Sequence, residues 1–590
     1  MSSSSSTPAS STVSKLAGGA SSFSSVVPSP ACACDEEDDV SDYRPTRLIP
    51  RALNTHCRIY FEDQLFVHAL ELASSLLTSG PPSGKRVNPA LILPPVQLAF
   101  VNNLLIHPKH TSRPETPERR EIASLALSYL ETLLEAAGPL NANLSAAFQF
   151  NHSYNPRPRR GNPNPHDDDY SDDFGDNGSD EENGRIVSRL GKEELIWNCA
   201  HDFWSVVGWA FNCAVAHPQR WRWWRVWLDF MLRVMEEDWI LRVRTDEAAN
   251  RRRGNENEFE FDALYGSLLA TYFTQLTGRT NGLKWIIKAL FADGQQSSML
   301  LFKEVFPAET REMPRGRKKR KRDVELDLEN FQYADYGDTD DDLEDSPGPE
   351  EELQSPSRPA RGSRINTEQE PNQFEHYEEN EEAIRALVPF RLRLMALLSR
   401  LAYAMPKLFA PLEDLHEQFA LEMRGLPLPL FAAMLSPVSN PMVSLLDPTS
   451  EPAMTTESYA VLLKELLVLY LPPKFLDPAK VDAEADREGR VTQGMAEKCF
   501  VRYAAEGASV EDNAKLSVIV ESLLLYLFEK GELTGSRTLR EAVTAGVEAR
   551  RKKAKVRRRR GAENEYDVLG KKMLDSSAET IGMILDAVGV

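Results

Sequence analysis

From Leu48 onward, apolar residues recur three and four positions apart, the spacing of one helix face and not the alternation of a strand. Phe61, Leu65, Leu72 and Leu76 predict a helix over 61–77, stopped by Gly80, Pro81 and Pro82. A second is predicted over 95–106. A third, over 117–137, takes Thr116 as N-cap, Pro117 as first helical residue and Gly138 with Pro139 as its stop. Further helical windows cover 192–217, where Pro218 interrupts, then 219–243, 262–277 and 282–304, the last broken near Asp293 and Gly294. The pattern resumes over 382–404, where Leu387, Leu392, Leu394, Leu397, Leu398 and Leu401 make a broad apolar face. It continues through 408–423, 428–435, 456–471, 492–505, 510–530, 536–551 and 566–588. No run of alternating β-branched residues with hairpin turns interrupts it, and no repeat signature recurs at a fixed period.

Between these windows the composition changes. Residues 1–45 are rich in Ser, Thr, Ala and Pro; 151–185 are rich in Asn, Pro, Arg and then Asp; 306–381 run from basic to acidic to Ser-Pro and Glu. Such chain cannot bury enough apolar surface to offset its ordering entropy. The expected fold class is therefore all-α, with two irregular helical domains, solenoid- or bundle-like, at 46–305 and 382–590. Long disordered, charge-rich segments join and flank them: a Ser-rich tail over 1–45, an acidic insertion at about 151–185 and a linker over 306–381.

The N-terminal residues lack the basic and continuous apolar regions of a secretory signal, and their near absence of Arg argues against an import peptide for an organelle. No apolar run approaches the ~18–20 residues that span a bilayer. Six cysteines, irregularly spaced at 32, 34, 57, 199, 213 and 499, make no disulfide framework, which points to a reducing compartment.

The formal net charge of −20 hides a segregation of sign. After the helix breaker Pro314 come Arg315, Gly316 and six consecutive cations, Arg317, Lys318, Lys319, Arg320, Lys321 and Arg322. A cation run in extended chain suits the acidic, aromatic-lined groove of an import receptor, so this segment is expected to be a nuclear import signal. A second block, Arg550, Arg551, Lys552, Lys553, Lys555, Arg557, Arg558, Arg559 and Arg560, closes a predicted helix. It is expected to contact phosphate or an acidic partner with salt-sensitive affinity. It has no interleaved aromatics, so base-specific reading is not expected. The acidic tracts at 167–173 and 338–345 suit basic tails such as those of histones, although the plainer reading is a solubilising linker. Ser179, Ser346 and Ser355 lie in sequence contexts open to phosphorylation.

All nine tryptophans fall between Trp197 and Trp285. Trp197, Trp204, Val207 and Phe211 share helical spacing, as do Trp224, Trp227, Met231, Val234 and Met235, and aromatics so spaced read as the centre of a core. Within Trp221–Arg225 an Arg is placed to lie on an indole face at the surface. Cys213 and His217, four apart, share a face, but Cys199 and His201 diverge by roughly 200° on a helix. One helix cannot gather all four as a zinc site, so buried, inert side chains are expected and no metal or other cofactor is implied.

Phosphate-binding, nucleophile-elbow, zinc-protease and calcium-loop motifs are all missing from the sequence. The resulting expectation is a non-enzymatic nuclear scaffold or accessory subunit of a chromatin-associated complex. Its partners would be other subunits, an import receptor and, through the charged arms, histones or DNA, with no membrane and no small-molecule substrate. The alternatives are a ribosome-biogenesis factor of the nucleolus and an enzyme on an unrecognised helical fold.

Overall fold

The computed structural model describes residues 43–80, 88–114, 116, 118–150, 186–253, 261–276, 282–311, 373–436, 452–554 and 565–589. Residues 1–42 of the expected tail over 1–45, the insertion over 151–185 and most of the linker lie outside the described residues. Tyr43, Arg44 and Pro45, expected in the tail, instead belong to the folded chain: the Arg44 backbone N–H donates to the Ala136 carbonyl and the Pro45 carbonyl accepts from the Ala90 N–H.

The described chain is mostly helical, with one small exception. Strands β1 (Thr46–Leu48) and β2 (Ala90–Ile92) pair in parallel, Thr46 opposite Ala90 and Leu48 opposite Ile92. Three-residue strands leave no room for an alternating pattern, so sequence periodicity passed over them. Their crossover carries α1 (Arg51–Glu62) and α2 (Phe66–Thr78), where the sequence suggested one helix over 61–77. The chain breaks at Gln64, which holds a left-handed φ of 59°. The break resets the helical phase: Phe66, Ala69, Leu70, Ala73 and Leu77 point inward, while Leu65, expected in the core, is 44% exposed. Arg44 secures the far end of α2, donating to the carbonyls of Leu77, Ser79, Gly80 and Asn88. Those carbonyls include some of the acceptors a helix C-terminus leaves open.

Helix α3 (Pro95–Ile106) is buried on nearly every side, and α4 (Glu118–Asn141) is interrupted at Gly138, whose φ of 68° falls where the sequence placed the stop. After α5 (Leu144–Ala147) come α6 (Arg189–Lys192) and α7 (Ile196–Cys199), then α8 (Phe203–Ala216) and α9 (Pro218–Arg253). The single helix expected over 192–217 is therefore split. Asp202 caps α8 by accepting from the Ser205 backbone N–H at 2.7 Å, and an N-cap of this kind ends any helix that precedes it. Pro218 does interrupt, but as the first residue of α9, where its missing N–H costs nothing. This half of the chain closes with α10 (Leu268–Thr274), α11 (Gly282–Leu290) and α12 (Gln296–Leu301), the last two separated at Gly294.

The end of the stretch expected as a disordered linker over 306–381 is instead helical: α13 (Gln373–Glu379) lies within it, with His376 and Tyr377 buried. After it come α14 (Glu381–Arg385), α15 (Val388–Ala404), α16 (Leu412–Gly425) and α17 (Leu428–Leu435). Next come α18 (Pro452–Tyr470), α19 (Ala483–Arg487) and α20 (Gln493–Met495), which runs into a π-helical turn at Ala496–Phe500. The long helices α21 (Val510–Glu529), α22 (Arg537–Ala554) and α23 (Glu565–Ala587) complete the chain. Helix α21 is the centre of this half, buried along most of its length and packed on α17, α18, α22 and α23. From Tyr43 onward the described residues make one compact unit, so the two domains expected from sequence are not separated. The helical block before the linker and the block after it meet through α9, α10, α11 and α15, with Trp221 edge-on to Phe390 and Phe273 edge-on to Phe409. No helix among the described residues is long and apolar enough to cross a membrane.

Candidate functional site: the cationic segments and the polar core that anchors them

The expected import signal, Arg315 and Arg317 to Arg322, lies outside the described residues. What the structure shows is how the chain leading to it is held. Residues 306–311, assigned from sequence to the linker, belong to the folded body: Phe306 and Glu309 are each 2% exposed. Phe306 stacks on Trp224 and meets His107 edge-on. The Glu309 carboxylate accepts from the indole N–H of Trp209, from that of Trp224 at 3.4 Å and from Arg220 Nη2 at 3.3 Å. Arg220 in turn donates to Thr111 Oγ1 and the Ile106 carbonyl, which ties the start of α9 to the end of α3. Burial pushes the Glu309 carboxyl above its ordinary value, opposed by Arg220 and the two indoles. Buried polar groups need such partners because an unsatisfied one costs roughly 1–3 kcal/mol.

The tryptophans placed at core spacing, Trp197, Trp204, Trp224 and Trp227, are buried, whereas Trp223 and Trp285 are half-buried. Trp197, Trp204, Trp209, Trp224 and Trp227 are among the largest fully buried side chains. Helix α3 supplies acceptors for two of them: Trp227 Nε1 donates to Asn102 Oδ1 at 2.8 Å and Trp197 Nε1 to the Ala99 carbonyl at 3.2 Å. Sequence gave no sign that the amides of an apolar-looking helix would serve the indoles. The Arg–indole contact expected at the surface falls on Arg222, whose Cζ lies 5.8 Å from the Trp223 ring centroid.

Next to this core sits a histidine pair. His107 accepts the Lys109 backbone N–H at Nδ1, so its Nε2–H faces Glu194 at 3.3 Å. With Lys109 on the same carboxylate, these donors hold Glu194 down at about 2. His110 is 1% exposed, lies edge-on to Phe66, and has no hydrogen-bond partner on either ring nitrogen. Burial pushes it down to about 3. In the other block, His416 is fully buried with Nε2 2.8 Å from Ser399 Oγ, and burial pushes it to about 3 as well.

The second basic block divides within its first turn. Arg550, expected to meet a partner, is fully buried: Nη1 donates to the carbonyls of Val501 and Tyr503, and burial lowers the guanidinium to about 10. Gly546, one turn earlier, makes this possible, since a Cβ there would stand 1.9 Å from the Val501 oxygen. Lys553 donates to the Ala505 and Glu506 carbonyls, and Arg551 to Asp575 at 2.8 Å. Lys552 is exposed. Lys555 and Arg557 to Arg560 lie outside the described residues. The inner members of the block thus close the carbonyls after the π-helical turn, leaving Lys552 outward.

The four candidate zinc ligands are scattered. Cys199 ends α7, donating Sγ–H to the Glu193 carbonyl; His201 is largely exposed beside Asp202; Cys213 is buried, its thiol pushed well up by desolvation; and His217 lies near Trp209. Among the described residues no three His, Cys, Asp or Glu side chains gather as a metal site. Comparison with family models, curated proteins and solved structures gives no significant match.

Proposed function

We propose that the protein is a nuclear scaffold or accessory subunit of a chromatin-associated assembly, with helical blocks that bind partner proteins and charged arms that engage histones or DNA. The observation that carries this reading is the cation run Arg317 to Arg322, six residues past the last described residue of the first block. Support comes from the clamp on Glu309, which gives that arm a fixed point of departure. The perturbed groups of the two blocks fit a structural role: Glu309, His107 and Arg550 bond to other core or backbone groups.

The test is localisation of the full-length chain fused to a fluorescent protein. Replacing Lys318, Lys319, Arg320, Lys321 and Arg322 with alanine should move it to the cytoplasm. Because Arg557 to Arg560 can supply a second signal, the same fusion with both runs replaced completes the experiment. A doubly substituted protein that stays nuclear defeats the reading. Affinity purification from nuclei then identifies the assembly: histone-associated subunits are expected, whereas pre-ribosomal particles would move the protein to the nucleolus.

A further inference from the structure

Thr116 is followed at once by Pro117 and, three residues along, by Arg119. Proline-directed protein kinases select this residue after the hydroxyl because it has no N–H to leave unpaired, and many of them also read a cation three residues on. Six Ser-Pro or Thr-Pro pairs occur in the sequence, at positions 7, 29, 116, 346, 355 and 436, and only Thr116 and Ser355 have that cation. Ser355 lies outside the described residues. Thr116 is described and exposed, in a bend between the turn at Pro108–His110 and α4, and its carbonyl accepts the Arg119 backbone N–H at 3.2 Å.

Thr116 lines a cleft of about 380 Å³ together with residues 64–68, at the break between α1 and α2, and with Arg119 and Ile122 of α4. That is many times the ~30 Å³ a water molecule occupies in the liquid, so a hydrated phosphate group fits. No Asp or Glu is among the described residues of the lining. Arg119 is half-buried, and its Nη2 reaches the Gln64 side-chain oxygen at 3.5 Å, beyond the usual range of an N–H···O bond. A phosphate oxygen is a stronger acceptor for a guanidinium than an amide oxygen is. Around the site Arg113 and Arg120 are opposed in sequence by Glu115, Glu118 and Glu121, so the general field draws no anion in. The Arg119 fork inside the cleft is what distinguishes this threonine.

We propose that Thr116 is a phosphoacceptor for a proline-directed kinase, and that its phosphate settles in the cleft on the Arg119 guanidinium. In the transfer the γ-phosphorus of ATP parts from the oxygen that leaves with ADP and bonds Thr116 Oγ1, whose proton goes to the kinase's catalytic carboxylate. The first turn of α4 opens for the kinase to read Arg119 in extended chain, and helix ends open at small cost. Once attached, the phosphate resists that opening by pairing with the arginine three residues along. Modification thus turns a cleft with an apolar floor, Leu65, Phe66, Val67 and Ile122, and a cationic wall into one of net negative charge. The inference does not rest on the nuclear reading.

The test treats the full-length chain with ATP and a cyclin-dependent kinase already shown to be active on a reference peptide. Mass spectrometry should find phosphate on the peptide that contains Thr116, and Thr116→Val should lose that signal alone. A chain left bare at Thr116 overturns the acceptor. The seat is read by ³¹P resonance, with Thr116→Val treated alike to identify the signal by difference. In the wild-type protein the phosphothreonine should lose its second proton at about pH 5.5 or below, against an ordinary value of about 6. Arg119→Gln should return it to about 6. Should the kinase refuse that variant, Arg119→Lys keeps a cation for the enzyme but loses the two-pronged fork, and its titration should fall between the two. An ordinary titration in the wild-type protein, or one lowered equally in whichever Arg119 variant is modified, overturns the seat in the cleft.

Discussion

Single side chains in this protein mostly serve as struts, and two of them carry sharp expectations. Trp204 is fully buried and its indole N–H makes no hydrogen bond, so its contribution is packing alone. Trp204→Ala should therefore lower the unfolding free energy by about 3–5 kcal/mol, read from urea denaturation. An unchanged midpoint would contradict its place in the core. The buried histidines set the pH response. His110 and His416 each sit at about 3 in the folded chain, below the ordinary 6.5. The unfolded chain therefore takes up their protons first. Their contribution to stability is complete above about pH 6.5 and is lost as the pH falls toward 3, at up to about 1.4 kcal/mol per pH unit for each. Glu194, held at about 2, adds a loss in the same direction but lower, between its ordinary value and 2. Urea melts between pH 7 and 4 should show this slope, and His416→Gln should flatten it.

At the scale of the element, what could be read from sequence depended on whether the local signal was also the tertiary one. Helices α3 and α17 ended where the sequence put them, since Pro, Gly and apolar spacing agreed there. The break at Gln64 was hidden because the apolar residues on both sides still fit one period, although a left-handed residue had shifted the face. Asp202 carried its signal openly, an acid three residues before Ser205, but the aromatic spacing across it favoured a continuous helix. Arg550 was legible in a different way. Leu539, Val543, Gly546, Arg550 and Ala554 follow helical spacing and all are buried, so the apolar stripe of α22 already pointed this cation inward. Charge counting masked what periodicity would have shown. The turn at Gly138 offers a direct check, because its φ of 68° is joined by the Tyr43 ring, whose nearest atoms would stand 2.8 Å from an added Cβ. Gly138→Ala should cost at least about 1 kcal/mol, read as a lowered thermal midpoint, through left-handed strain and the displaced ring together. A midpoint equal to wild type would mean the chain turns there without needing glycine.

The whole molecule turns on how the two helical blocks share their contact surface. Buried residues from both belong to one continuous apolar core, and polar links reinforce it. Arg393 of α15 reaches across to α9, with Nε and Nη2 on the two oxygens of Glu236 at 2.8 and 2.7 Å and Nη1 on Asp229 at 2.7 Å. A two-pronged Arg–carboxylate pair of this geometry is stronger than an ordinary surface ion pair, and its side chain is 21% exposed, so solvent screens it only in part. The tryptophans make its effect observable, since all nine belong to the first block while Arg393 belongs to the second. Arg393→Ala removes no contact with any of those indoles that the structure records as a hydrogen bond or ring contact. If the shared core makes the blocks unfold together, the variant should lower the tryptophan-fluorescence transition by about 1–3 kcal/mol. The far-ultraviolet circular-dichroism transition, which reports helices of both blocks, should move with it. A fluorescence midpoint that stays fixed while part of the helical signal melts earlier would show that the second block detaches on its own, and that the first stands without it.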